Sequence, residues 1–328
     1  MSSSVDDQKL AFIRRAIELS AIGAKEGGAP FGAVVVKDGK IVGEGHNLVV
    51  RSRDPSAHGE VVAIRDACKN LGTENLAGCE MYTSCEPCAM CTSAIWFSRF
   101  DKLYYANCLQ DTVKYCSMEG MFEDVGLDVE KRSIPAERLC ATKAYQIFSD
   151  CMEQKVPTYV TVASDNPVKK EQFMLRAIEL SNTGAKQGGL PFGAVIVKNG
   201  KIIGEGYNTV KSSQDPTAHG EVVAIRNTCQ ALDVWDLAGC ELYTSCEPCP
   251  MCTCVIWLCR FSKIYYANRL EDIVPWRGSL KEVFEDVGSH IEKRSIPAER
   301  LCADEAREVI MRWGEQMGDK VDPRLGVA

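Results

Sequence analysis

Two short stretches of the chain hold residue types that could do chemistry together: His58-Gly59-Glu60, and later Pro87-Cys88-Ala-Met-Cys91. Cys88 and Cys91 are three apart at an expected helix start, so both thiols lie on one face. A place in the first helical turn also helps them ionise. With a nitrogen of His58 they make three soft or borderline ligands, a set that zinc accepts. A catalytic zinc leaves its fourth tetrahedral position to water, whereas a structural one closes it with protein. Glu60, two residues past the histidine, is placed to accept that water's proton and pass it to a substrate. The set returns as His219-Gly220-Glu221 with Pro248-Cys249-Pro-Met-Cys252. The duller readings are a structural zinc corner, a redox pair or a packed histidine. Retention of the glutamate and proline in both copies, and the strand-then-helix context, favour catalytic zinc. Cys85 could pair with Cys88 as a second Cys-x-x-Cys; it is expected to be a packed strand-end thiol.

The elements that position these residues are encoded twice. Ala57-His-Gly-Glu-Val-Val-Ala-Ile-Arg65 returns letter for letter as 218–226, and Thr83-Ser-Cys-Glu-Pro-Cys88 as 244–249. Glu130-Lys-Arg-Ser-Ile-Pro-Ala-Glu-Arg-Leu-Cys140 returns as 292–302. The offset is 161 at the first block (58 to 219) and 162 at the last (130 to 292), so one residue enters after Asp272. A period this long marks a duplicated domain, since solenoid repeats run about 20–50 residues. The expected domains are 1–160 and 170–328, joined by the polar, proline-containing stretch 161–169.

Each half reads alike. Leu10, Ile13, Ile17, Ala21 and Ala24 recur at helical spacing up to Gly27-Gly28. Ala33-Val-Val-Val36 and Ile41-Val42 flank Asp38-Gly39, with Asn199-Gly200 in the copy, a strong hairpin signal. A helix from near His58, a strand over 80–84, a helix from about Cys88 to Ser98 and a strand over 102–107 follow. Segment 136–153 reads as a closing helix. This order predicts an α/β fold: a mixed sheet covered by helices on both faces, a three-layer sandwich present twice.

Composition narrows the function classes. Of 328 residues, 45% are hydrophobic and 25% charged, the profile of a globular chain. No apolar run approaches the roughly 18–20 residues that cross a bilayer, so no membrane role is expected. The start, Met1-Ser-Ser-Ser-Val-Asp-Asp, lacks the basic and apolar regions of a secretory signal. A net charge of −7 is a poor footprint for a nucleic-acid backbone. Seventeen cysteines, an odd number, do not suit a disulfide scaffold. Several fall in apolar helical patterns (Cys68, Cys229, Cys259), where a reduced thiol packs as a small hydrophobe. A cytoplasmic location follows as the expectation.

His-x-Glu with Pro-Cys-x-x-Cys matches the signature of zinc nucleobase deaminases. The chain resembles the cytidine-deaminase superfamily and, within it, the bacterial and plant guanine deaminases. The likeness covers nearly all of each half, including Gly28-Ala-Pro-Phe-Gly-Ala-Val34, Gly45-His-Asn47, Asp54-Pro-Ser-Ala-His58, Thr83-Ser-Cys-Glu-Pro-Cys-Ala-Met-Cys91 and Phe122-Glu-Asp124. The resemblance implies two cytidine-deaminase-like α/β/α domains forming an internal pseudo-dimer, with further homo-oligomers possible. It implies one zinc per domain, two per chain, on His58, Cys88 and Cys91 and on His219, Cys249 and Cys252. A zinc-held hydroxide would attack the carbon bearing the amino group, with Glu60 or Glu221 as proton shuttle and ammonia leaving. For guanine, a small-molecule base of purine catabolism, the product is xanthine. Asn47 and Asn208 would hydrogen-bond the ring edge, Phe31 and Phe192 would pack on the base, and Asp124 and Asp286 would accept from ring N–H and amino groups. Plain core packing for Phe31 and a solvated carboxylate for Asp124 are the alternatives.

Some residues pull elsewhere. The family usually reads His-Ala-Glu, and both copies here read His-Gly-Glu. Gly-His-Asn, His-Gly-Glu and the late Phe-Glu-Asp are similar to yeast-type cytosine deaminase, while Glu-Pro-Cys and Pro-Phe-Gly-Ala look like the guanine branch. Guanine deaminases of this type exchange C-terminal segments across a dimer, with a terminal tyrosine over the partner site. Lys155-Val-Pro-Thr-Tyr159 matches that feature and the second half has no counterpart, so Tyr159 would cover the second site alone. With Lys114-Tyr-Cys-Ser-Met118 facing Pro275-Trp-Arg-Gly-Ser279, unequal turnover or substrate tolerance is expected. The rivals are a cytosine, nucleoside or pterin aminohydrolase, a tRNA adenosine deaminase, a structural-zinc scaffold without activity and, more distantly, a thiol–disulfide oxidoreductase.

Overall fold

The computed structural model describes residues 2–153 and 169–317. The first half supplies β1 (Gly32–Lys37), β2 (Lys40–His46), β3 (Cys79–Cys85), β4 (Lys102–Asn107) and β5 (Ala136–Arg138). The second supplies β6 (Gly193–Lys198), β7 (Lys201–Tyr207), β8 (Glu241–Cys246), β9 (Lys263–Asn268) and β10 (Ala298–Arg300). They form two mixed five-stranded sheets, ordered β10-β4-β3-β1-β2 and β5-β9-β8-β6-β7. In each, the hairpin pairs antiparallel, its first strand also pairs antiparallel with β3 or β8, and β3 and β4, like β8 and β9, run parallel.

One outer strand of each sheet, β10 or β5, comes from the other repeat. Ala298 of β10 lies opposite Leu103 of β4, and Ala136 of β5 opposite Ile264 of β9. The compact units are therefore composed differently from the repeats. One comprises the described residues up to Gly126, Gln214–Thr217 and those from Val283 on; the other comprises the described parts of Leu127–Ser213 and Ala218–Glu282. The expected closing helix over 136–153 is corrected accordingly: Ala136–Arg138 is a strand, and the helix is Ala141–Met152. Three residues that pair with a strand about 130 positions away leave no local periodicity to read.

Each unit buries its own core. Ile13 and Ile17 of the Ser2–Lys25 helix pack with Val34, Val36, Tyr82 and Tyr104 from the sheet and with Ala306 of the exchanged Ala303–Met317 helix. In the second unit Met174, Ile178, Val195, Val197, Tyr243 and Tyr265 join Ala144 and Ile147 of the exchanged Ala141–Met152 helix. The tyrosine pairs Tyr82–Tyr104 and Tyr243–Tyr265 stack with ring centroids 4.4 Å apart. On the opposite face of the first sheet, the Gly59–Leu71 helix packs on β1 and β2. A Cβ at Gly45 would lie 2.4 Å from Ala63 N, so a side chain there would lift the helix that carries Glu60. Among the described residues no helix is long and apolar enough to cross a membrane.

Candidate metal centre and active site

His58 is the N-cap residue of the Gly59–Leu71 helix, and Cys88 that of the Ala89–Ser98 helix, which follows β3. The extended backbone at Cys88, with Cys91 one turn later, points both thiols at the histidine. His58 Nδ1 lies 3.6 Å from Cys88 Sγ and 3.6 Å from Cys91 Sγ. In the second unit His219 Nδ1 lies 3.4 Å from Cys249 Sγ and 3.5 Å from Cys252 Sγ. Tetrahedral zinc with Zn–S about 2.3 Å and Zn–N about 2.0–2.1 Å holds N and S ligands about 3.6 Å apart. The donor sets fit. These are the two groups of potential metal ligands among the described residues, and Cys85 is in neither. All 17 cysteines are free. Burial pushes the Cys85 thiol well up and Cys68 to about 12, as expected of packed thiols. Cys88 is held well below the usual thiol range by the Cys91 S–H and by His58. Cys249 is also low: burial alone would raise it, but the Cys252 S–H and His219 outweigh that.

The glutamates sit beside the ligands. Glu60 is 5% exposed; its Oε1 accepts from Thr83 Oγ1 at 3.3 Å and its Oε2 lies 3.4 Å from Cys91 Sγ. Glu221 repeats this with Thr244 at 3.1 Å and Cys252 at 3.5 Å. Burial, aided by the charge of Cys88 or Cys249, raises both carboxyl groups above the ordinary range. Such a group holds a proton more readily than a solvated carboxylate, which suits a shuttle.

A recess of about 400 Å³, including its open mouth, leads to the first centre. Phe31, Glu86, Leu109, Cys116 and Met118 wall it around His58, Glu60 and Cys88. Phe31 thus borders the site. Asn47 is buried, its Oδ1 accepts the Val49 N–H at 3.3 Å, and its Nδ2 has no partner among the described residues. Asn208 is the same at its oxygen, which takes the Val210 N–H at 3.4 Å. Phe192 packs on Phe148 at 5.4 Å, beneath the guanidinium of Arg277 at 5.7 Å from its ring. Trp276 touches Phe148, so an aromatic side chain of the exchanged helix packs between Phe192 and Trp276.

The aspartates differ. Asp124 is buried on the Glu119–Val125 helix in the first unit. Asp286 belongs to the first unit too, whereas the His219 cluster belongs to the second. Its carboxylate accepts the Ser295 N–H at 2.8 Å and the Ser295 hydroxyl, beside a small cavity with Thr92 and Arg294. Tyr159 lies outside the described residues. Sequence reasoning passed over Thr83 and Thr244, Glu86 and Glu247, and the arginines of the repeated Glu-Lys-Arg block. Letter-for-letter repetition was the available signal for all of them.

Residues 6–107 and 167–268 match the model of the cytidine and deoxycytidylate deaminase zinc-binding region. The chain belongs to that deaminase family, twice over. The family makes it a zinc-binding hydrolase of carbon–nitrogen bonds in cyclic amidines. Over 144 residues it is 42% identical to the guanine deaminase of Bacillus subtilis, spanning 44% of this chain and 92% of that protein. It is 40% identical over 95 residues to the tRNA-specific adenosine deaminase of Aquifex aeolicus, 29% of this chain and 63% of that one. Among solved structures, the B. subtilis guanine deaminase is 41% identical, covering 44% of this chain and 93% of its own, with a TM-score of 0.43. The guanine deaminase from Nitrosomonas europaea is 31% identical, covering 37% and 65%, with a TM-score of 0.30.

Proposed function

We propose that the chain removes the exocyclic amino group of a free nucleobase, guanine giving xanthine and ammonia, at two zinc centres per chain. The carrying observation is Glu60, buried beside His58, Cys88 and Cys91 at the foot of a recess, with Glu221 buried in the same way beside Cys252. Zinc, when bound, activates water as a Lewis acid. Glu60 takes the proton of that water and returns it to the departing nitrogen. Thr83 fixes one carboxylate oxygen, leaving the other to face the centre. Phe31 supplies an apolar slab for the ring, and the Asn47 amide offers its N–H to the ring edge. Asp124 would accept from the ring N–H. In this reading the halves act as an internal pseudo-dimer, each lending its last elements to the other's unit. Seventeen free thiols suit a reducing cytoplasm.

Guanine is favoured over other bases by the 42% identity to B. subtilis guanine deaminase across 92% of that protein. The tRNA-specific adenosine deaminases among the relatives support a second reading, against which the net charge of −7 weighs. Ammonia release from guanine, guanosine, cytosine, adenine and pterins, beside an inosine assay on tRNA, separates the two. Metal analysis runs in parallel. Xanthine formed from guanine with about two zincs per chain is the expected result. Cytosine turnover without guanine turnover overturns the base, and tRNA inosine alone overturns the substrate class.

A further inference from the structure

We propose that Arg294 and Arg132 are positioning residues, each lending a guanidinium from one repeat to brace the metal-binding turn built by the other. The two arginines are the third residues of the repeated Glu-Lys-Arg-Ser-Ile-Pro blocks. Arg294 lies in the same unit as Cys88 and Cys91, and Arg132 in the same unit as Cys249 and Cys252. Each therefore serves cysteines of the opposite repeat.

The contacts surround the turn. Arg294 Nη1 donates to Thr92 Oγ1 at 3.2 Å, and Nη2 to Glu86 Oε1 at 3.5 Å. Thr92 directly follows Cys91, and Glu86 is two residues before Cys88. The Thr92 hydroxyl in turn donates to the Pro87 carbonyl at 3.2 Å. Glu86 Oε2 accepts the Leu109 N–H at 3.3 Å, which ties the turn to the recess wall. Arg294 Nε is anchored on the Ser289 carbonyl at 3.1 Å. In the second unit Arg132 donates to Thr253 Oγ1 at 3.1 Å and to the Leu127 carbonyl at 3.1 Å, and pairs with Glu247 at 3.8 Å. Thr253 repeats the bond to Pro248 at 3.2 Å, and Glu247 repeats the bond to Leu270 at 3.3 Å.

The side chains of Arg294 and Arg132 are only 6% and 2% exposed. A charge taken that far out of water persists only where its partners are fixed. A turn that must present two thiols at a fixed spacing toward one histidine gains from a rigid frame. A guanidinium reaches two partners on different sides of that turn, which a lysine ammonium, a point donor, cannot do in one geometry. Supports of this kind behind metal ligands change affinity or activity by about 10–100-fold when removed.

The proposal rests on the zinc reading of the ligand sets, and the test separates the two. In full-length chain, His219→Ala leaves the His58 centre alone, and His58→Ala leaves the His219 centre alone. Into each background go Arg294→Met, Arg294→Lys and Arg132→Met, and zinc transfer to an excess of a chromogenic chelator is timed. Circular dichroism and melting verify the fold. Arg294→Met is expected to speed zinc loss from the His58 centre about tenfold or more and leave the His219 centre unchanged, with Arg132→Met doing the reverse. Arg294→Lys gives partial rescue. Where Arg294→Met does not fold, Thr92→Val cuts the same link from the other side and shows the same acceleration. Zinc bound in both backgrounds but released at unaltered rates overturns the proposal alone, as does an effect on the centre of the arginine's own repeat. A parent chain that binds no zinc removes the metal reading and this proposal together.

Discussion

Thr83 Oγ1 lies 3.3 Å from Glu60 Oε1, and its counterpart Thr244 lies 3.1 Å from Glu221 Oε1. Strand and helix thus meet at one bond, which fixes how the carboxylate faces the metal ligands. Valine keeps the shape of threonine but cannot donate. A hydrogen bond to a charged group is worth about 1.5–3 kcal/mol, and about 1.4 kcal/mol is tenfold in rate. Thr83→Val in a Glu221→Ala chain is therefore expected to lower kcat at least about tenfold, with KM and zinc content little changed. Steady-state ammonia release checks this, and an unchanged kcat would remove Thr83 from the mechanism.

The glycine in His58-Gly59-Glu60 has a steric reason. A Cβ at Gly59 would lie 2.8 Å from the Phe31 carbonyl oxygen, and one at Gly220 2.9 Å from that of Phe192. The Phe31 carbonyl also accepts the Asn47 N–H at 2.9 Å. An alanine must push back the backbone that holds both expected base contacts. Gly59→Ala in the Glu221→Ala chain is expected to raise KM several-fold more than it lowers kcat, with zinc retained. Equal effects on both constants would mean that the helix, not the Phe31 backbone, has moved.

What could be read beforehand was whatever a short window contains. The hairpin at Asp38-Gly39, the helix starts at His58 and Cys88 and the strand over Lys102–Asn107 all follow from local pattern and capping position. The ligand triads follow from spacing. The exchange of β5 and β10 does not, because Ala136–Arg138 is a strand only through partners in β9. The contacts of Arg132 and Arg294 are not local either, because their partners, Glu86, Thr92, Glu247 and Thr253, come from the other repeat. Asp286 was matched to its repeat, but the fold carries it into the unit of the other centre.

Acid sensitivity should show in a repeated ion pair. Arg15 grips Glu44 through Nε and Nη2, both at 2.8 Å, and Arg176 grips Glu205 in the same way. The Arg15 hydrogen bonds hold the Glu44 carboxyl below the ordinary range, against a smaller opposing effect of burial. As pH falls, the unfolded chain takes up its proton first, so the pair stabilises the fold above about pH 4.3 and loses that contribution below it. Glu44 is 34% exposed, and solvent screening keeps the effect to about 0.5 kcal/mol. Urea unfolding of Glu44→Gln should show that loss at pH 7 and a shrinking gap below about pH 4. A gap independent of pH would assign the effect to packing.

Cys116 and Arg277 hold corresponding places in the two repeats, yet one is a buried thiol in the first recess and the other a guanidinium over Phe192. Beside Arg277, Trp276 packs on Phe148 of the exchanged helix. The first centre should therefore favour neutral bases, while the second should tolerate rings bearing an anionic substituent. A charge-assisted hydrogen bond of about 1.5–3 kcal/mol would separate the preferences by about tenfold or more. Chains carrying Glu221→Ala or Glu60→Ala each leave one centre working, and their kcat/KM ratios for carboxylated against plain bases measure the difference. Arg277→Cys in the Glu60→Ala chain should erase the second centre's preference, and Cys116→Arg in the Glu221→Ala chain should move the first toward it. If the two single-site chains rank the substrates alike, these walls do not select, and the difference in sequence at 114–118 and 275–279 has no part in specificity.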